Sequence, residues 1–294
     1  HIKEIGLSKE TIYTCYVTDY KKKLEGIVSL RKLVISDSDK LIEELLHEEI
    51  IFVETHDDQE TVANIFTKYG FMAVPVVDKE RRLTGIITFD DIMDVIEDEA
   101  TEDFQRMAAM MPSEEPYLDS GVIELAKQRI PWLMILMIGA TITGGIITKF
   151  ESILSSVVVL TAFIPMIMDT GGNSGSQSST LVIRGLATGD VTLKDARKIW
   201  WKEFRISLLV GVTLASVNFA KNMLFDRVGL AVSLTVSITV TATVILAKMV
   251  GGTLPLAAKK LKLDPAIMAG PLITTIVDAL ALMVYFGIAS TLLF

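Results

Sequence analysis

Apolar and polar positions divide this chain into two parts. Up to about residue 104, short apolar stretches alternate with charged turns and helix-like segments. Beyond residue 130, apolar runs fall at about 131–149, 152–187, 204–225, 228–250 and 266–294. A membrane-spanning helix needs roughly 20 apolar residues, so the pattern predicts five spans. The second run is too long for one simple span, and it holds "PMIMDTGGNSGSQSSTLVIRG" (165–185). Irregular backbone at membrane depth survives only where protein surrounds it or water reaches it. Asp169, Gly171, Gly172, Asn173, Gly175 and Gln177 therefore read as a break lining an aqueous path. The alternative is a helix contact in which small residues let neighbours approach closely. Pattern alone leaves both open.

The first part repeats itself. "VTDYKKKLEGIVSLRKLVI" (17–35) lies over "VVDKERRLTGIITFDDIMD" (76–94) at a separation of 59 residues, matching Asp19 with Asp78, Gly26 with Gly85 and Ser29 with Thr88. Each copy reads as strand, charged turn, strand through Gly-Ile, then helix. The second copy has an upstream helix and strand ("DQETVANIFTKYGFMAVPVV") whose counterpart in the first copy lacks its beginning. The chain is thus expected to start inside the first repeat, as a piece of something longer. The pattern resembles a tandem pair of CBS domains, α/β modules that often bind adenosine nucleotides. The resemblance implies a ribose site for a nucleotide such as ATP at Thr88 and Asp91. The first copy has Ser29 but Lys32, which offers no acceptor to a ribose hydroxyl. A helix cap is the simpler role for Thr88 and Asp91.

Charge follows the same division. The 294 residues carry a net charge of −8 at a mean hydropathy of +0.47. Residues 1–130 hold 15 Lys/Arg and 28 Asp/Glu, and residues 131–294 hold 13 and 8. An acidic α/β domain thus precedes an all-α membrane domain. The single cysteine, Cys15, excludes an intrachain disulfide framework. Asp90, Asp91, Asp94, Glu97, Asp98, Glu99, Glu102 and Asp103 crowd one predicted helix with no basic residue among them. Like charges three or four apart repel on a helix, and oxygen-only ligands suit Mg²⁺ or Ca²⁺. A solvated acidic face is the competing explanation.

Ten basic residues flank the ends of the spans on the side of the acidic domain, against three (Lys149, Lys221, Arg227) on the other. The excess places the acidic domain in the cytoplasm and the C-terminus outside. "TLKDARKIWWKEF" (192–204) reads as an interfacial helix, with Trp200 and Trp201 in the headgroup zone and lysines reaching phosphates. Asp278 falls near the middle of the last span. A central aspartate costs about 2.5–3.5 kcal/mol on the insertion scale, so it must face the interior or a wet cavity. Arg184 sits near an inner end and Lys248 reads as a span terminus, so Asp278 has no basic partner and is a candidate ion-pathway carboxylate. Pro271 is expected to free a carbonyl near it. No hydrolase-type histidine motif is present, and no enzyme activity is expected.

The order of CBS pair, acidic helix and five spans with "DTGGNSGSQSSTLVIRGLATGD" resembles the MgtE family of magnesium channels and transporters. The resemblance implies a homodimer in the cell membrane with its pore on the twofold axis. Its pore Mg²⁺ site would be Asp278 with the carbonyl of Thr274, beside Gly171, Gly172, Asn173, Gly175 and Gln177. It also implies regulatory Mg²⁺ sites at Asp58, Glu60, Asp91, Asp94, Glu99, Glu102, Asp103 and Asp264. Residues 1–104 would be the CBS region, 105–130 a connecting segment whose last part (119–130) plugs the pore, and 131–294 the pore domain. Divalent cations and the bilayer are the expected partners, with no nucleic acid. A CBS-regulated secondary transporter for another divalent cation, coupled to H⁺ or Na⁺, is the alternative.

Overall fold

The computed structural model of the chain describes residues 10–113 and 115–294. The opening segment 1–9, where the truncated first repeat is expected to begin, lies outside them. Two compact units divide after Ala100.

In the first unit the internal repeat is carried into backbone detail. Strand β1 (Thr14–Thr18) pairs antiparallel with β2 (Leu24–Ser29), joining Thr14 to Ser29 with an irregularity at Val17/Thr18. Strand β4 (Ala73–Val77) pairs with β5 (Leu83–Thr88) in the same register 59 residues on, joining Ala73 to Thr88 with an irregularity at Val76/Val77. The turns match as well. Asp19 accepts from the amides of Lys21 and Lys23 at 2.8 Å, and Asp78 accepts from Glu80 and Arg82 at 3.0 and 2.8 Å. An aspartate that bonds to its own turn in this way fixes the hairpin, which frees Lys22 and Arg81 to take the same left-handed φ of 65°. Crosswise bonds from Leu24 N to Arg81 O and from Leu83 N to Lys22 O tie the two hairpins together.

The second copy is completed by β3 (Val53–Glu54), which pairs parallel with β4. The intervening helix α3 (Gln59–Tyr69; the shorter α1 and α2 span Leu30–Ile35 and Ile42–Leu45) is capped by Asp58 and ends on Gly70 in the left-handed region. Val62, Ala63 and Phe66 of α3 pack with Val53, Val74 and Ile92 into one apolar core. Ile92 belongs to α4 (Phe89–Met107), the acidic helix.

In the second unit α5 (Val122–Lys149) runs unbroken through Pro131, so the connecting segment expected to end at 130 continues directly into the first apolar run. A short helix α6 (Glu151–Ser156) and a 3-10 turn (Val158–Phe163) lead into α7 (Ile164–Ala187). Then follow α8 (Ala196–Lys221), α9 (Leu230–Lys260) and α10 (Gly270–Leu292). The expected interfacial helix over 192–204 is not a separate element. It is a 3-10 turn at Leu193–Asp195 and the first turns of α8.

Among the described residues four helical segments are long and apolar enough to cross a membrane: Val122–Lys149, Leu193–Asp226, Leu230–Lys260 and Gly270–Leu292. The fifth expected span, α7, has 24 residues, about 36 Å at 1.5 Å per residue. Its Gly, Ser, Asn and Gln residues keep it off that count. It is also continuous. The expected break in 165–185 is therefore corrected: a regular helix pairs the backbone groups internally, and the small residues serve contact rather than irregularity.

Helix α9 is the centre of the bundle, with Val236, Val240, Val244 and Ala247 essentially buried. Tyr285 and Phe286 of α10 are fully buried too, and Tyr285 Oη donates to Leu160 O at 2.9 Å. Gly251 of α9 faces the carbonyl of Gly175 so closely that a Cβ there would collide with it. Backbone cannot yield as a side chain can. Gly251→Ala should therefore destabilise the bundle by about 1–3 kcal/mol, the usual cost of overpacking. Gly144→Ala, with nothing within 4 Å of the new atom, should be neutral or better. Thermal unfolding of both variants in one detergent checks the contrast.

Candidate functional site

Helix α7 has two chemically distinct faces. Gly171, Gly172 and Gly175 are buried. A Cβ on Gly172 would lie 3.0 Å from Cγ2 of Thr274, on Gly171 3.0 Å from Cγ1 of Val277, and on Gly175 2.8 Å from Cγ2 of Ile273. The Gly175 distance is shorter than real Cβ contacts and the other two are tight enough that the neighbour would have to give by a few tenths of an ångström, so glycine is what lets α7 reach α10 this closely. Asp169, Asn173 and Gln177 follow one another at four-residue spacing and are all exposed. Asn173 Nδ2 donates to Asp169 Oδ1 at 3.0 Å.

Helix α10 carries Thr274 and Asp278 one turn apart. The two helices run antiparallel, since Gly171 meets Val277 and Gly175 meets Ile273. This brings Asp278 near enough to Asp169 for their charges to interact. Asp278 is half-buried and, among the described residues, has no hydrogen bond or ion pair. Pro271 occupies the first turn of α10, where a missing N–H costs nothing. It therefore frees no carbonyl, contrary to expectation, and its own carbonyl accepts from the hydroxyls of Thr274 and Thr275 at 2.9 and 2.8 Å.

A second charged group went unseen in the sequence. Lys248 is not at a span terminus but well inside α9, and it is 4% exposed. Its Nζ donates to Ser178 Oγ at 3.4 Å, and Ser178 donates to Glu203 Oε2 at 2.6 Å. Glu203, of α8, is buried as well. The chain of contacts joins α9, α7 and α8 and stands at a cavity of about 800 Å³ that Asn173, Gln177 and Thr180 also line. The signal available was two ionisable residues within apolar helices, which need each other.

The acidic positions are dispersed. Asp58 caps α3, accepting from Glu60 N at 3.0 Å. Asp91 accepts from Thr88 Oγ1 at 2.7 Å, so the two residues that could hold a ribose hold each other at the start of α4. Glu99 accepts from Gln59 Nε2 at 3.1 Å. Among the described residues no three acidic, histidine or cysteine side chains gather closely enough to hold a metal ion. The structure does bring Glu102 and Asp264 together, through Arg106. Its guanidinium bonds to both carboxylates, the bifurcated geometry that suits arginine. Arg106 lies just past the acidic run, four residues from Glu102, a spacing that predicts the pair. Next to it, Met107 packs with Ile183, Ala266 and Ala269, and a Cβ on Gly270 would come within 2.9 Å of Met107 O. The end of α4 is thus fixed to the start of α10.

Residues 164–288 match the family model described as MgtE, divalent cation transporter, and residues 42–98 match that of the CBS domain. The chain is 39% identical over 290 residues to the magnesium transporter MgtE of Thermus thermophilus, covering 97% of this chain and 63% of that one. It is 36% identical over 295 residues to the magnesium transporter MgtE of Bacillus subtilis, covering 98% and 63%. The chain therefore spans a little under two thirds of the length of these relatives. Among solved structures, the cytosolic domain of the Mg²⁺ channel MgtE in complex with ATP is 41% identical over 32% of this chain and 38% of that chain, with a TM-score of 0.31.

The buried Lys248–Ser178–Glu203 group makes a direct prediction. Lys248 and Glu203 are joined through Ser178 rather than in direct contact, so removing one charge should cost less than the roughly 3–5 kcal/mol of breaking a direct buried ion pair. Lys248→Met should lower the unfolding temperature, and adding Glu203→Gln should restore much of the loss. Unfolding measured on the single and double variants would show additive losses if the two charges were independent.

Proposed function

We propose that the chain carries Mg²⁺ across a membrane, reading residues 164–288 as the divalent cation transporter domain whose family model they match and residues 42–98 as a CBS domain. The observation that carries the reading is Asp278: a half-buried carboxylate on an apolar helix, with no basic partner among the described residues, near enough to Asp169 for the two charges to interact. Two neighbouring negative groups at membrane depth are costly unless a cation joins them. Mg²⁺ dehydrates reluctantly and is held through few carboxylates and several waters. In a homodimer, two Asp278 side chains would attract the ion while leaving room for its water, with the Thr274 carbonyl one turn away. Asn173 and Gln177 would complete a polar wall. Gly171, Gly172 and Gly175 line the pathway only indirectly, by setting how near α7 and α10 lie.

The five-span arrangement, with α7 as the second span, the CBS region cytoplasmic and the C-terminus outside, belongs to this proposal. So does regulation. Helix α4 bears the acidic run along its length and is fixed at its end to the start of α10 through Arg106, Asp264 and Met107. Cytosolic Mg²⁺ neutralising Asp91, Asp94, Glu99, Glu102 and Asp103 would favour a compact arrangement, and a ligand shifts an equilibrium only by its differential affinity for the two states. Asp58, Glu60 and Asp264 are the remaining candidate regulatory ligands. Thr88 and Asp91, which bond to each other, are the candidate ribose ligands for a nucleotide such as ATP, and regulation by Mg²⁺ does not require it.

Asp278→Asn keeps the size and removes the charge. Mg²⁺ flux into proteoliposomes should fall about tenfold or more, the loss of roughly 1.4 kcal/mol of ion stabilisation, with folding retained. Wild-type flux from the folded variant would remove Asp278 from the pathway. Neutralising Asp91, Asp94, Glu99 and Glu102 together should flatten the Mg²⁺ dependence of protease protection over residues 89–130. An unchanged Mg²⁺ response would make the acidic run a solvated face.

A further inference from the structure

Where α8 enters the bundle, a cavity of about 780 Å³ is lined by Lys194, Arg197, Lys198, Trp201, Phe204 and Met249. It joins two unlike surfaces. One is cationic: Lys198 is offset by Asp195 at 2.8 Å, but among the described residues Lys194 and Arg197 have no acidic partner. The other is apolar and ordered. Trp201 stacks on Phe204 with ring centroids 5.9 Å apart, and the guanidinium of Arg205 stands 5.9 Å above the same indole. The cavity lies at the end of an apolar helical segment long enough to span a membrane, the depth at which tryptophan and basic side chains meet lipid headgroups.

We infer that this cavity is a discrete binding site for an anionic phospholipid, with Lys194 and Arg197 holding the phosphate and Trp201, Phe204 and Met249 receiving the start of an acyl chain. Charge complementarity selects the ligand class. An uncompensated pair of cations calls for an anion, and basic pockets between membrane helices favour anionic headgroups. The apolar wall selects the source. A free phosphate ion would use the cations alone and leave Trp201 and Phe204 without a role, whereas a lipid uses both surfaces at once. Each basic side chain near an anionic lipid contributes enough for two of them to give a preference of about tenfold or more over a zwitterionic lipid. The site is separate from Asp278 and from the acidic run, so it stands whether or not the chain carries Mg²⁺.

The test uses the full chain in detergent, with phosphatidylglycerol and phosphatidylcholine of identical acyl chains compared by native mass spectrometry. Phosphatidylglycerol should be retained at least about tenfold more. Lys194→Gln with Arg197→Gln should abolish that preference. Lys202→Gln with Lys260→Gln removes equal charge from the same helix and from the end of α9, outside the cavity lining, and should leave it intact. Trp201→Ala with Phe204→Ala should weaken retention of both lipids while keeping their order. Melting temperatures in phosphatidylcholine would confirm that each variant is folded. Equal retention of the two lipids would overturn the proposal, as would equal losses in the two charge-removal variants, which signify diffuse attraction. Millimolar inorganic phosphate displacing the lipid completely would also overturn it, in favour of a free-anion site.

Discussion

The membrane half depends on how closely α7 lies against α10. Three glycines, Gly171, Gly172 and Gly175, bring the helices so close that a Cβ would crowd α10 at each, and that contact does two things. It buries the featureless side of α7 against Thr274, Val277 and Ile273, and it turns Asp169, Asn173 and Gln177 outward. The same contact sets Asp278 beside Asp169. A helix that is too polar to count as a span by composition is thereby held in an apolar bundle by one face, with its other face left for water, ions or a second copy.

Charges elsewhere in the bundle are arranged differently. Lys248 and Glu203 are buried and joined through Ser178, and Arg106 joins Glu102 to Asp264. In both places a protein cation has met the negative groups, and the elements that bear them are fixed to one another. Asp278 is the exception, with no such partner among the described residues. The contrast is the physical reason to look for a mobile cation at Asp278 first; at Glu102 and Asp264 a regulatory Mg²⁺ would have to take the place of Arg106.

Much of this was legible in the sequence. The 59-residue repeat predicted two equivalent hairpins, and the structure reproduces them down to the aspartate-bonded turns, because Asp19 and Asp78 specify local geometry through local bonds. The apolar runs predicted the long helices for a similar reason: periodic burial is written residue by residue. Contacts between distant segments were not legible. The glycines of 171–175 looked like a break because a sequence does not say what lies opposite a missing side chain. Lys248 looked terminal because the run was judged by hydropathy, and α9 continues for twelve residues beyond it to Lys260. Arg106 was overlooked because one of its two partners, Asp264, lies 158 residues away.

The central claim is that Asp278 draws a cation that keeps its water. Mn²⁺ has the same charge and ligand preferences as Mg²⁺ and scatters anomalously, so a dimeric preparation grown with Mn²⁺ would locate it directly. The account predicts anomalous density between two Asp278 side chains, with metal-to-carboxylate distances longer than the roughly 2.0–2.1 Å of direct coordination by an ion of this kind. Density at the acidic helix alone, with none near Asp278, would contradict it.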